Sequence, residues 1–337
     1  MSRAASIDEL VDALVERKII ERKAPPEEPA DDRPWYISVV LGAAGWLAGL
    51  FALIFAGMLL ELDFENATGF AIVGIVMLAA AFGLYTAGRS AFFDQLALAL
   101  SIAGQLALTW AAVDGIGSSA GAAAFVTFMQ VVLLIAMPNR MAKVLAAFFA
   151  CIAWALTIRF IVWGDALLSD VRGEAPLGLA LLSWLLIWVP LIAAAQVLIA
   201  VEARWMASPA RTLARTALMG LLMALAIATW ASEPVGTLVL WAPPGTVTHT
   251  NWLVLWPLLG AATALFAAVC AYRLQNRALV GLAIAGGLLH VTQFYFLLGT
   301  TLVVKSMIML AVGVALLLAG WGFGRIGTHA SERSRAP

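Results

Sequence analysis

Charged side chains are scarce in this sequence: Asp, Glu, Lys and Arg make up 12% of its 337 residues, against about a quarter in soluble domains. Twenty basic and twenty acidic residues cancel, so no basic excess argues for a nucleic-acid partner. Histidine occurs only as His249, His290 and His329, and cysteine only as Cys151 and Cys270. Neither a multi-histidine metal centre nor a Cys-x-x-Cys pair is therefore expected, and each cysteine, set in an apolar run, reads as core or lipid-facing filler. A phosphate-cradling P-loop, a GxSxG elbow and an HExxH helix are also missing. The expectation is a non-enzymatic chain with no catalytic residue, cofactor site or metal. The first thirty-six residues hold no short apolar stretch with a small-residue cleavage site, so the first membrane helix is expected to direct its own insertion.

What the chain does have is apolar length. Hydrophobic residues fill 63% of its positions, more surface than one water-soluble core can hide. A bilayer solvates such side chains directly, provided each backbone N–H and C=O is paired within its segment, as a helix ensures. The expected fold is therefore all-α, a polytopic transmembrane bundle.

A hydrocarbon core about 30 Å thick needs about 20 apolar residues of helix. That ruler finds ten spans, at 37–60, 68–88, 93–113, 118–137, 141–163, 177–201, 212–230, 252–272, 278–298 and 302–321. The connections between them alternate in charge. One set carries Arg89, Arg140, Lys143, Arg204, Arg211, Arg215, Arg273 and Arg277. The other carries Glu61, Asp63, Glu65, Asp114, Asp165, Asp170, Glu174 and Glu233, with Arg172 as its one basic residue. Because short cytoplasmic loops are enriched in Lys and Arg, the first set is expected to be cytoplasmic. Both termini join it, including the tail with Arg325, Arg333 and Arg335. Tryptophans agree, since indoles favour the interface: Trp35, Trp205 and Trp321 fall at cytoplasmic ends, and Trp110, Trp163, Trp230 and Trp252 at outer ends. Trp46, Trp154, Trp184 and Trp188 fall inside spans and must pack on helices or lipid.

Four regions follow. Residues 1–23 read as an amphipathic cytoplasmic helix, with Ser6 and Glu9 at capping-box spacing and Ile7, Leu10, Val11 and Leu14 on one face. That face either lies on the membrane or binds a partner; the mixed charge of Asp8, Asp12, Glu16, Arg17 and Lys18 does not fit strong anionic-lipid binding. Residues 24–36, with APPEEPADD at 24–32, read as a Pro-rich acidic linker. Residues 37–321 form the membrane domain, and 322–337 a basic cytoplasmic tail. The outer loop at 231–251 carries Leu238, Val239, Leu240 and Trp241, and is expected to dip into the interface or cover the outer mouth of the bundle.

Ionisable groups at membrane depth are costly, which makes them candidates for function. Arg159 lies about one turn from the outer end of the fifth span and Lys305 about one turn from the outer end of the tenth, so both are also placed to snorkel to headgroups. His290 is deeper, with Gln293 on the same face at i+3. It either relays protons or serves as a neutral, hydrogen-bonded packing residue. Gln105, Gln130 and Gln196 are expected to staple helices together. With no carboxylate pair inside any span, and Glu202 at a boundary beside Arg204, a proton- or sodium-coupled pump is disfavoured. Gly42, Gly45, Gly49, Gly281, Gly286 and Gly287 are expected at close helix contacts.

Two stretches carry a family resemblance. PWY at 34–36 leading into VLGAAGWLA at 40–48, and QFYFLLGTTLVVKS at 293–306, resemble the start and the C-terminal signature of a bacterial membrane family catalogued as domain of unknown function 4401. The resemblance spans roughly residues 31–325. It implies no catalytic residue. It does add weight to Lys305 and Ser306, the former placed to pair with Glu61, Asp63 or the interface. It also implies a partner, another small membrane protein of the GDYXXLXXXXY type. The leading expectation is a component of an envelope membrane complex. The alternative is a small-solute permease with a polar site near His290, Gln293, Lys305, Ser306 and Arg159. A third, a lipid-acting intramembrane enzyme, would need acids converging on His290 in an outer cleft.

Overall fold

The apolar runs fold as helices because few breakers interrupt them and polar caps mark several of their ends. A computed structural model of the chain describes residues 35–59, 67–87, 91–164, 176–204, 210–233, 255–297, 301–307, 310 and 313–314. In chain order the elements are α1 (Trp35–Leu59), α2 (Ala67–Ala87), α3 (Ala91–Ile116), α4 (Ser119–Ala136), α5 (Arg140–Trp163), α6 (Leu177–Arg204), α7 (Ala210–Ile227), a 3-10 turn (Thr229–Ser232), α8 (Trp256–Arg273) and α9 (Arg277–Leu297). A further helical turn covers 302–307. Among the described residues there is no strand.

Side-chain caps stand at several helix starts, where backbone N–H groups lack intrahelical partners. Ser118 Oγ accepts from the Gly121 N–H at 3.2 Å to open α4. Asn139 Oδ1 accepts from Met141 and Ala142 at 2.8 and 3.2 Å to open α5, and Asn276 Oδ1 accepts from Leu279 at the head of α9. Gly164, at φ +74°, closes α5 in a conformation that a Cβ would strain.

The bundle has two hubs. Helix α3 packs against α1, α2 and α4, while α7 packs against α5, α6, α8 and α9, and α4 lies along α5 to join the halves. Small residues let these axes approach. A Cβ at Gly74 of α2 would lie 2.8 Å from the Gly104 carbonyl of α3, and a Cβ at Gly220 of α7 would strike the Val144 carbonyl and lie 2.6 Å from Ala147 Cβ of α5. Of the glycines expected at contacts, Gly45 and Gly49 seat α1 on Gln95 and Ala99 of α3, and Gly286 of α9 meets the Ala226 carbonyl of α7. Gly287 has only ordinary clearance, and Gly281 faces open space. The core around α7 takes in Ile187, Trp188, Leu218, Leu222 and Leu225. Cys151 and Cys270 are free thiols buried in it, as filler.

Outward faces are apolar. Phe51, Phe55 and Met58 on α1, Phe128 on α4, Ile161 on α5 and Leu288 on α9 are all exposed, an arrangement that lipid solvates and water does not. Among the described residues, seven helices are long and apolar enough to cross a membrane, and Ala43–Ala52 of α1 and Thr212–Ile227 of α7 are shorter apolar stretches. This is the construction of a multi-pass integral membrane protein. Several boundaries depart from expectation by a few residues. Helix α1 begins at Trp35, inside the expected linker. Helix α7 stops at Ile227 rather than continuing to 230: Ala228 N–H still bonds the Ala224 carbonyl, but Ala231 N–H then bonds Ala228, tightening to 3-10 geometry.

Within the bundle, Gln130 Nε2 donates to Gln105 Oε1 at 2.8 Å and Gln105 Nε2 to Ser101 Oγ at 3.0 Å, stapling α4 to α3. Gln196 does not act this way, because it sits on an exposed face of α6. Pro190, inside α6, removes the donor for the Leu186 carbonyl. One residue further on, Ile187's carbonyl accepts from Trp154 Nε1 of α5 at 3.3 Å. The expected amphipathic helix at 1–23, most of the linker, the apolar part of the 231–251 loop, the tail at 322–337 and most of the tenth span lie outside the described residues.

Candidate functional site

Where α5, α6, α7 and α9 approach the ends nearest 163, 177, 233 and 297, a polar cluster interrupts the apolar packing. The 3-10 turn organises it. Once the α-helical register of α7 is lost, Thr229, Ser232 and Glu233 all turn inward, and each is buried. Ser232 Oγ donates to the Thr229 carbonyl at 2.7 Å and accepts from Trp188 Nε1 of α6 at 2.8 Å. Backbone and side chains of this one short segment thus meet three neighbouring helices.

Arg159 of α5 is 3% exposed. Its Nε donates to the Glu233 carbonyl at 2.8 Å, and its guanidinium lies within electrostatic reach of the Glu233 carboxylate. Snorkelling to headgroups is therefore overturned for Arg159: the stem turns into the bundle, because a carboxylate and a carbonyl there replace the water it would otherwise seek. Glu233 keeps its place in the connection after α7 but is only 7% exposed, so it is a buried charge rather than a solvated one.

From α9, Gln293 Nε2 donates to Glu233 Oε1 at 2.9 Å. One turn earlier, His290 is 3% exposed, with Nε2 3.0 Å from Thr229 Oγ1. The i, i+3 spacing on one helical face sends both side chains to the same segment. Helix α8 closes the fourth side with backbone: a Cβ at Gly260 would lie 2.6 Å from Thr229 Oγ1 and 2.7 Å from His290 Nδ1. No side chain larger than hydrogen fits there without displacing one of them.

Of the five residues singled out from sequence, three converge here: Arg159, His290 and Gln293. Lys305 and Ser306 do not join them. Lys305 Nζ lies 5.1 Å from the centre of the Tyr295 ring, a cation–π contact, and Ser306 Oγ donates to the carbonyl of Leu302 in its own turn. The expected acids for Lys305, Glu61 and Asp63, lie outside the described residues. Sequence reasoning missed Glu233, Thr229, Ser232, Trp188 and Gly260. The available signal was the set Thr229, Ser232 and Glu233 just before Pro234, at the end of the apolar stretch that follows Arg211 and Arg215.

Chemically, the cluster offers one fixed cation, one carboxylate, one imidazole and an amide that links the last two. Among the described residues no three His, Cys, Asp or Glu side chains gather as a metal site. A family model described as Domain of unknown function (DUF4401) matches residues 34–326. Comparison with curated proteins and with solved structures finds no match.

Proposed function

The chain belongs to the DUF4401 family, and from that premise we propose that it is a non-enzymatic component of an envelope membrane complex, built of ten spans with both termini in the cytoplasm of a bacterial inner membrane. The alternation of basic and acidic connections supports the topology. A single observation carries the role: the buried polar groups bond one another across α5, α6, α7 and α9. Donors and acceptors consumed in this way hold helix ends together, as a structural subunit requires. The lipid bilayer is one partner and a second, smaller membrane protein the other. Affinity purification of the tagged full chain in mild detergent is expected to recover that second protein in stable amount. Repeated recovery of the chain alone would count against the proposal.

One observation favours a second reading, a small-solute permease. The lack of a carboxylate pair inside any span had argued against ion-coupled transport, but a single carboxylate, Glu233, is buried and bonded to Gln293. Under that reading, a deletion strain shows a reproducible solute difference that Glu233→Gln and His290→Ala each reproduce. Under the structural reading, the solute profile is unchanged while partner recovery falls.

A further inference from the structure

Helices α3 and α4 pack on each other less extensively than α3 packs on α2 or α4 on α5, and their seam holds the staple made by Ser101, Gln105 and Gln130. All three side chains are buried, Gln130 to 3% exposure. Gln105 and Gln130 stand in the middle turns of their helices, away from the headgroups, where a polar atom left without a partner is costly.

The staple satisfies its members incompletely. Ser101 Oγ accepts from Gln105 Nε2 and Gln105 Oε1 accepts from Gln130 Nε2, while Gln130 Oε1, at the end of this series, is buried and meets no donor. Reversing both amides does not close it. The Ser101 hydroxyl would then donate to Gln105 Oε1 and Gln105 Nε2 to Gln130 Oε1, which leaves the Gln130 NH2 in the outer place instead. Tyr85 of α2 is a second group of this kind. Its hydroxyl is buried and has no hydrogen-bond partner, and its ring packs on the cluster that contains Leu98 of α3 and Met129 and Leu133 of α4. Both groups thus border the same seam.

We propose that this seam is an internal water site, with water held between Gln130 and the Tyr85 hydroxyl. The chemistry of the occupant follows from the groups that face it. Gln130 Oε1 needs a donor and the Tyr85 O–H needs an acceptor, so one neutral molecule that does both fits where an ion does not. Among the described residues α2, α3 and α4 carry no Lys or Arg, and their carboxylates, Asp94 and Asp114, are exposed, so neither a buried anion nor a buried cation would find a countercharge in the seam. Size points the same way, because Leu78, Ile102, Leu108 and Val126 pack around the cluster. Water is small enough, and it satisfies Gln130 in either amide orientation. The inference is independent of whether the chain serves as a complex subunit or as a permease.

The test uses the full chain in lipid bilayers and solid-state NMR that follows magnetisation from water to nitrogen-bound protons, at mixing times too short for chemical exchange. Gln130 is the one glutamine that follows a methionine, so labelling Met carbonyl carbon and Gln nitrogen singles out its backbone amide, from which its side chain is assigned in the native sequence. The Gln130 side-chain amide is expected to receive water magnetisation as quickly as that of Gln275, which is exposed. Transfer no faster than to the backbone amides of Leu218 and Leu222, which are fully buried, overturns the proposal. Gln130→Met is expected to abolish rapid transfer at the Gln105 side chain and to leave Gln275 unchanged. Should Gln130→Met not fold, Tyr85→Phe removes only a hydroxyl and is expected to slow transfer to Gln130. Rapid transfer that persists at Gln105 in the first variant, or at the full native rate at Gln130 in the second, also overturns it.

Discussion

Gln293 donates to Glu233 across 60 residues of chain at 2.9 Å, so a neutral amide on α9 orients the carboxylate that faces a guanidinium on α5. Replacing Gln293 by Leu removes the donor and keeps the charge pair. The expected cost is small, about 0.6 kcal/mol for an interhelical hydrogen bond in lipid and at most about 1.7. Thermal unfolding in a fixed detergent measures it. A loss as large as that of an unpaired charge would mean that the amide, rather than Arg159, stabilises the carboxylate.

Arg159 and Glu233 should behave as a unit. Arg159→Met and Glu233→Met, made separately, each remove one member of a buried charge pair and are expected to lose up to about 3–5 kcal/mol, while the double replacement recovers most of that loss. The three unfolding curves form a cycle. Additive losses would show the two side chains to be energetically independent.

Gly260→Ala places a methyl on Thr229 Oγ1 and the His290 ring. Overpacking of this kind costs about 1–3 kcal/mol, and Thr229→Ala in the same chain is expected to restore part of it by removing one of the two obstructions. Folded yield and unfolding temperature report both effects. No change on Gly260→Ala alone would place α8 farther from the turn.

Glycines at other sites give an internal contrast. Gly220 of α7 lies against the backbone of Val144 and Phe148, which has no flexible end to yield, whereas a Cβ at Gly281 of α9 meets nothing within 4 Å. Gly220→Ala is expected to lower the unfolding temperature sharply. Gly281→Ala is expected to raise stability by roughly 0.5–1 kcal/mol through helix propensity. Equal behaviour of the two variants would contradict the packing of α7 on α5.

Helix positions were legible in the sequence because lipid imposes one simple requirement, a minimum apolar length, and composition expresses it directly. Nine expected spans coincide with α1 to α9 within a few residues. What composition does not encode is which side of a boundary a side chain turns to. Arg159 near a helix end is equally compatible with snorkelling outward and with pairing inward; only the arrival of Glu233, 74 residues later in the chain, decides it. Glu233 itself reads as a loop acid because it follows an apolar stretch, and the 3-10 turn after Ala228 meets Trp188 and His290 in contacts that no local pattern records. The His290 and Gln293 pairing was visible because i, i+3 spacing is local. Lys305 and Ser306, a few residues beyond the end of α9, carry no such local indication of where they point.

The separation of Arg159 from Glu233 also has a consequence for how the protein is made. At about 5–20 residues per second, 74 residues of synthesis take roughly four to fifteen seconds. During that interval α5 has emerged and Glu233 has not yet been made, so the long stem of Arg159 is expected to carry its guanidinium to the headgroup level. The bond of Arg159 to Glu233 is then a late step of assembly, made only after the end of α7 arrives.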